Sequence, residues 1–277
     1  MAGSQTTWSV VAGALIGASA SVLTNILQAW RETRKTAVER KREIRRRVLG
    51  ERISTAEIVE IIRESSGRRV FGHRRRIDLG GANLADVDLR HQNLSHAILF
   101  RATLTRADLI GVNLHGADLS KALLIEADLE GAVMTQAMFD EADLTHADLT
   151  DATATDSSMI GTDFSKVVAP RARFENCQLR GATFAGADLS RANLSHAIAE
   201  NTMFSGALLI DADLSHIRIA HADCTLANFT RTNLSGADVT DVDFTDAILL
   251  GATVSDEQLA TARLLKGATM PDGRRHL

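Results

Sequence analysis

Tyrosine is absent from this chain of 277 residues, and proline and cysteine occur only twice each. There is no G-x-S-x-G elbow, no P-loop, no H-E-x-x-H and no cysteine or histidine cluster at zinc spacing, which excludes the common catalytic and metal-binding constellations. The expectation is therefore a protein that is not an enzyme and needs no cofactor. The first seven residues hold no lysine or arginine, unlike the start of a secretory signal peptide. Residues 9–29 hold no charge of either sign. Disorder is not indicated, because 45% of the residues are hydrophobic.

What the chain does contain is a period of five. From Leu79 to Val254 every fifth residue is apolar, giving 36 centres of which 20 are Leu and 7 are Phe. Two residues before each centre the residue is as a rule small, Ala in 24 of the 36 cases. Neither the helical period of 3.6 nor the strand period of 2 yields five, so the chain is a repeat array. The runs Ala107-Asp108-Leu109, Ala117-Asp118-Leu119, Ala127-Asp128-Leu129 and Ala142-Asp143-Leu144-Thr145-His146-Ala147-Asp148-Leu149 resemble the pentapeptide-repeat family, whose tandem motif reads A(D/N)LXX. The resemblance implies an all-β solenoid, a right-handed quadrilateral β-helix with four pentapeptides to a coil and hence nine coils. Centres and small residues would point inward and the other three positions outward, so that stacked coils bury a core no single coil could bury.

In that frame residues 20 apart stack. Phe164, Phe184, Phe204 and Phe244 form an inner aromatic ladder interrupted by Cys224. Cys177 and Cys224 also face inward, about two coils apart, too far for a disulfide; they read as buried thiols of a reducing compartment. Ala154, Ala169 and Ala199 put methyl groups where Leu or Phe is the rule, which predicts thin packing in coils four to six. His196 and His216 should stack on adjacent coils, with His96 and His115 lower down, but no third metal ligand accompanies them. Asp fills the slot before the centre 13 times and Asn 6 times, and this repetition marks a structural role at the corners rather than acid–base chemistry.

Four segments follow, 1–30, 31–76, 77–254 and 255–277. The charge-free run 9–29 is flanked by Trp8 and Trp30 and is long enough to span a bilayer at about 1.5 Å per residue. It predicts a transmembrane helix. Gly13, Gly17 and Ser21 lie on one helical face, a pattern suited to close helix contact and a homodimer. Ala18-Ser19-Ala20 resembles a signal-peptide cleavage site, but Arg40, Lys41, Arg42, Arg45, Arg46 and Arg47 crowd the following segment. The positive-inside rule then puts residues 31–277 in the cytoplasm, on a single-pass membrane protein. Those basic residues also form a candidate flank for anionic lipid; nucleic-acid binding is disfavoured because no aromatics are interleaved. The neck 31–76 reads as helical, with a capping box at Ser54-Thr55-Ala56-Glu57 opening a cap helix over 55–65 and Gly67 as its stop. A second capping box, Ser255-Asp256-Glu257-Gln258, opens a helix through Leu265 whose Leu259, Ala262 and Leu265 cover the last coil, followed by the turn Pro271-Asp272-Gly273.

Net charge is +8 over residues 31–78 and −13 over residues 79–254. Apolar residues in outward slots are candidate partner surfaces: Ile98, Phe100, Ile110, Leu123 and Ile125 around coils two and three, and Leu208, Ile210, Ile248 and Leu250 on one face of coils seven and nine. The sequence thus suggests a noncatalytic, membrane-anchored scaffold that binds an unidentified protein in the cytoplasm. The family resemblance implies an alternative, an acidic rod that mimics DNA and modulates or protects DNA gyrase.

Overall fold

The computed structural model describes residues 76–277, together with Ala56, Ile58 and the segments 69–70 and 73–74. Its contacts divide the chain into two units, Met1–Gly50 and Glu51–Leu277. The expected membrane span, with Trp8, Gly13, Gly17, Ser21 and Trp30, and the flank from Arg40 to Arg47 lie outside the described residues.

Each pentapeptide supplies one side of a square and one corner. Along the side, the centre and the residue two before it point inward because alternate residues of an extended segment face opposite ways. At the corner the next small residue donates its N–H to the centre's carbonyl, as from Ala82 to Leu79 at 3.0 Å, closing a four-residue turn. The second central residue of every turn from Gly81 to Gly251 has φ between +55° and +69°, the signature of a type II turn. Glycine fills ten of these positions and other residues fill 25. Parallel bridges then join residues 20 apart, from Asp78 with Ile98 to Asn233 with Thr253. The N–H of Leu79 donates to Ile98 and that of Ile98 to Ile77, both at 2.8 Å. The 36 centres make nine coils, and at about 4.8 Å per coil the rod is roughly 40 Å long.

The core is the aromatic column the sequence foreshadows. Phe164, Phe184 and Phe204 stack face to face at 4.6 and 5.3 Å, with Phe174 edge-on to the first two. Beyond Cys224, Phe244 meets Phe229 edge-on at 5.6 Å. The three alanines at centre positions fall in coils four, five and seven. Ala154, Ala169 and Ala199 are fully buried, and each of their coils also carries phenylalanine: Phe139 with Ala154, Phe164 and Phe174 with Ala169, Phe204 with Ala199. The rings supply only part of the volume that the methyl groups lack, because Leu to Phe adds less than Leu to Ala removes, so these coils remain the ones expected to exchange amide hydrogens first.

Hydroxyl or thiol groups at the small inward slot are satisfied by one repeated bond. Ser157, Thr162, Thr202 and Thr232 are buried and donate to the carbonyls of Met134, Phe139, Leu179 and Leu209, at 2.6 to 2.9 Å. Cys177 Sγ does the same to Ala154 at 2.9 Å. Each acceptor lies 23 residues earlier, in the coil below, so buried polarity is paid for by a second bond to a corner carbonyl.

The ends differ from expectation. Before the first coil, β1 (Arg69–Val70) pairs antiparallel with β2 (His73–Arg74), Arg69 opposite Arg74, so the expected helical neck ends in a hairpin. Ala56 and Ile58 are helical, and Ile58 is buried. At the far end the capping box at Ser255 forms as read, but α1 covers only Asp256–Leu259. The helix stops because the chain rejoins the ladder: Arg263 donates to Val242 and Phe244 to Leu264, both at 2.9 Å. Leu259 is buried while Ala262 and Leu265 are only partly covered. A last hairpin pairs Thr269 with Arg275 in antiparallel register, turning at Pro271-Asp272-Gly273.

Candidate interaction surface

Where the slot before a centre holds Asp or Asn, it is committed to the fold. All 19 Asp and Asn residues there accept the N–H of the residue two further on, as Asp188 Oδ1 does from Ser190 at 2.9 Å. This bond satisfies a corner N–H and holds the chain in the turn. Asparagine keeps the accepting oxygen, so Asp188→Asn should leave thermal stability nearly unchanged, whereas Asp188→Ala should remove about 0.5–1.5 kcal/mol. Equal loss in both would mean that charge, and not the turn bond, matters.

Outward corner positions form rungs between coils. Arg106 pairs with Asp86, Arg171 with Asp151 and Arg231 with Asp211, each across one coil at 2.6 to 2.7 Å. Arg171 and Arg231 hold the Asp151 and Asp211 carboxyls below their ordinary value. A carboxyl lowered in the folded state stabilises fully above its unfolded value and loses that contribution as pH falls through the lowered one; these rungs therefore fail only in acid. On the fourth side Glu175 accepts from Arg173 and Asn193 through Oε1, leaving Oε2 the single buried side-chain oxygen without a partner among the described residues.

His196 and His216 stack at 5.0 Å, and His96 meets His115 edge-on at 5.2 Å. Among the described residues no three His, Cys, Asp or Glu side chains gather as a metal site. Burial pushes the Cys177 thiol up to about 12 and the Cys224 thiol well above its ordinary value. Both should resist iodoacetamide at neutral pH until the rod is unfolded; rapid alkylation of the native protein would place a thiol at the surface.

Among the described residues, outward apolar side chains are the feature that the turn bonds and ion-pair rungs do not account for. We label the sides first to fourth by the columns of Leu79, Leu84, Leu89 and Leu94. The expected cluster around coils two and three disperses: Ile98 and Phe100 lie on the first side, Ile110 on the third, Leu123 and Ile125 on the second. They shared a stretch of sequence, but a square coil turns successive pentapeptides by a quarter. The other group holds together. Leu208 with Ile210 and Ile248 with Leu250 sit in register on the third side, bridged through Asn228, and Val168 with Pro170 occupies the same column in coil five. Val168, Leu208, Ile248 and Leu250 are 38 to 46% exposed. The sequence reading missed the Val168 pair, which becomes visible when outward residues are compared at intervals of 40. In coils one to four the same column carries Asp88, Asp108, Asp128 and Asp148.

The model of the family described as pentapeptide repeats matches eight overlapping copies, from 82–120 to 222–256. No curated protein matches the chain. Among solved structures, HetL, a pentapeptide repeat protein involved in heterocyst differentiation regulation from the cyanobacterium Nostoc sp. strain PCC 7120, is 30% identical, covering 81% of this chain and 100% of that one with a TM-score of 0.46. QnrB1, a plasmid-mediated fluoroquinolone resistance protein, is 20% identical over 67% of this chain and 90% of that one, with a TM-score of 0.51. A pentapeptide repeat protein from the Arabidopsis thaliana thylakoid lumen is 26% identical over 46% and 83%, with a TM-score of 0.29.

Proposed function

Because the chain belongs to the pentapeptide repeat family, we propose that it is a noncatalytic scaffold, anchored to the cytoplasmic membrane and presenting its β-helix to a protein partner in the cytoplasm. The observation that carries this reading is the third side of coils five to nine, where apolar pairs stand in register on a regular surface. Solenoids of this kind bind through extended regular faces. The anchor rests on sequence: a charge-free run between Trp8 and Trp30, followed by Arg40, Lys41, Arg42, Arg45, Arg46 and Arg47, which would also hold anionic headgroups.

The full chain is expected to sediment with membranes and to resist alkaline carbonate. Leu15→Arg with Leu23→Arg should release it, since each charge near a helix centre costs about 3 kcal/mol on insertion scales. Gly13→Ile with Gly17→Ile should leave it membrane-bound while weakening any homodimer. Carbonate-soluble wild-type protein contradicts the anchor, and digestion of the rod by protease outside intact spheroplasts contradicts the cytoplasmic orientation.

One observation favours the DNA-mimic reading: the aspartate column from Asp88 to Asp148, on a rod of net charge −13. Inhibition or protection of gyrase supercoiling by the full chain, abolished when these four are changed to Asn, would support it over the scaffold.

A further inference from the structure

The third side changes character at coil five. Its outward residues alternate coil by coil: Val168 and Pro170, then Asp188 and Ser190, then Leu208 and Ile210, then Asn228 and Thr230, then Ile248 and Leu250. Apolar pairs therefore recur every second coil, close to 10 Å at about 4.8 Å per coil. The first and last are separated by four coils, roughly 19 Å.

An α-helix repeats an apolar stripe every seven residues, about 10.5 Å along its axis, and two such repeats extend about 21 Å. A helix tilted some 20–25° from the rod axis brings three successive stripe positions over the three pairs, by the same rise of about 1.5 Å per residue. An added β-strand fits poorly, because its same-side residues recur at about 6.6 Å.

The borders of this strip fit a helix as well. On one edge Gly186 and Gly206 occupy the corner positions of coils six and seven and add no side chain of their own; the space above Gly206 is open, while Lys166 of coil five leans toward Gly186. Leu226, 67% exposed, extends the apolar strip along that edge in coil eight. The opposite edge carries Arg171, Arg191 and Arg231. Arg171 and Arg231 are ion-paired with Asp151 and Asp211, whereas Arg191, which acts on Asp211 only through the field between them, makes no ion-pair contact among the described residues. A carboxylate on the helix flank would complete this row.

We propose that the third side of coils five to nine is a docking strip for an amphipathic α-helix of a partner protein, with apolar residues at heptad spacing and an acidic flank facing Arg191. The proposal rests on the scaffold reading and names the partner's chemistry.

The probe is a fluorescein-labelled synthetic helix of about 18 residues, long enough for three stripe positions, with leucine at heptad spacing and glutamate on one flank. Its isomer spreads the same residues around the helix. Titrated against the full chain in detergent micelles, the heptad peptide should bind at least tenfold more tightly than the isomer. Leu208→Asp with Ile248→Asp should weaken binding at least tenfold, while Leu123→Asp on the second side should not. Arg191→Glu should weaken it, and a peptide with lysine on the flank should recover affinity for that variant alone. Equal binding of the two peptides, equal loss in Leu123→Asp, or no charge-swap recovery would overturn the proposal. So would a change in oligomeric state on Leu208→Asp with Ile248→Asp, which would make a second copy the occupant. Crosslinking in intact membranes from other sides, together with failure of the peptide, would sink the docking strip and leave the scaffold standing.

Discussion

Phe184→Ala is expected to lower the unfolding free energy of the rod by about 3 to 5 kcal/mol, the range for emptying a buried aromatic site. Phe184 stands between Phe164 and Phe204 in the stacked column and meets Phe174 edge-on at 6.2 Å. Its loss removes burial, leaves a cavity in a backbone fixed by ladder bonds, and ends three ring contacts. Phe184→Leu keeps much of the volume and should cost well under half as much. Urea unfolding followed by circular dichroism measures the difference. Because solenoid coils contact only their neighbours, amide exchange should accelerate most in the coils flanking Phe184 and fade toward the ends. Matching losses for Ala and Leu, or uniform acceleration along the rod, would mean that the column is not a local source of stability.

Gly236→Val should cost about 2 to 3 kcal/mol, combining left-handed strain with a steric conflict. Gly236 has φ +69°, and a side chain there would meet His216 Nδ1 at 2.5 Å. His216 in turn stacks on His196, so the substitution disturbs both the turn and the imidazole pair. Gly206→Ala separates the two effects: φ is +66° but nothing approaches the added methyl, so only the strain of about 1–2 kcal/mol should appear. Leu226 has φ +59°, and Leu226→Gly should therefore recover part of this strain. Equal thermal shifts for Gly236→Val and Gly206→Ala would remove the steric half of the argument.

The core was legible in sequence because each inward position is set by period alone: Leu79, Leu84 and Leu89 need no long-range information to face inward. The same held for the aspartate slot, where Asp188 bonds a backbone group two residues away. What the sequence reading missed depends on the third dimension. Phe139 and Ala154 share one coil although they stand 15 residues apart, a neighbourhood that position-by-position reading hides. Ile110 and Leu123 look like one cluster in sequence, yet the quarter turn per pentapeptide puts them on different sides. Conversely, Val168 and Leu208 are 40 residues apart and share a column. The helix at Ser255 began where its capping box indicated, but its end at Leu259 was set by Arg263 and Leu264 pairing with the coil beneath, a tertiary contact that overrides local helix propensity.

The most direct test of the scaffold account is photocrosslinking in intact membranes, with a benzophenone side chain placed in turn at Ile210 on the third side and at Val133 on the fourth. The account predicts one discrete protein adduct from position 210, none from position 133, and loss of that adduct when Leu15→Arg and Leu23→Arg release the chain from the membrane. Identical adducts from both positions, or an adduct from position 210 that survives this release, would contradict it.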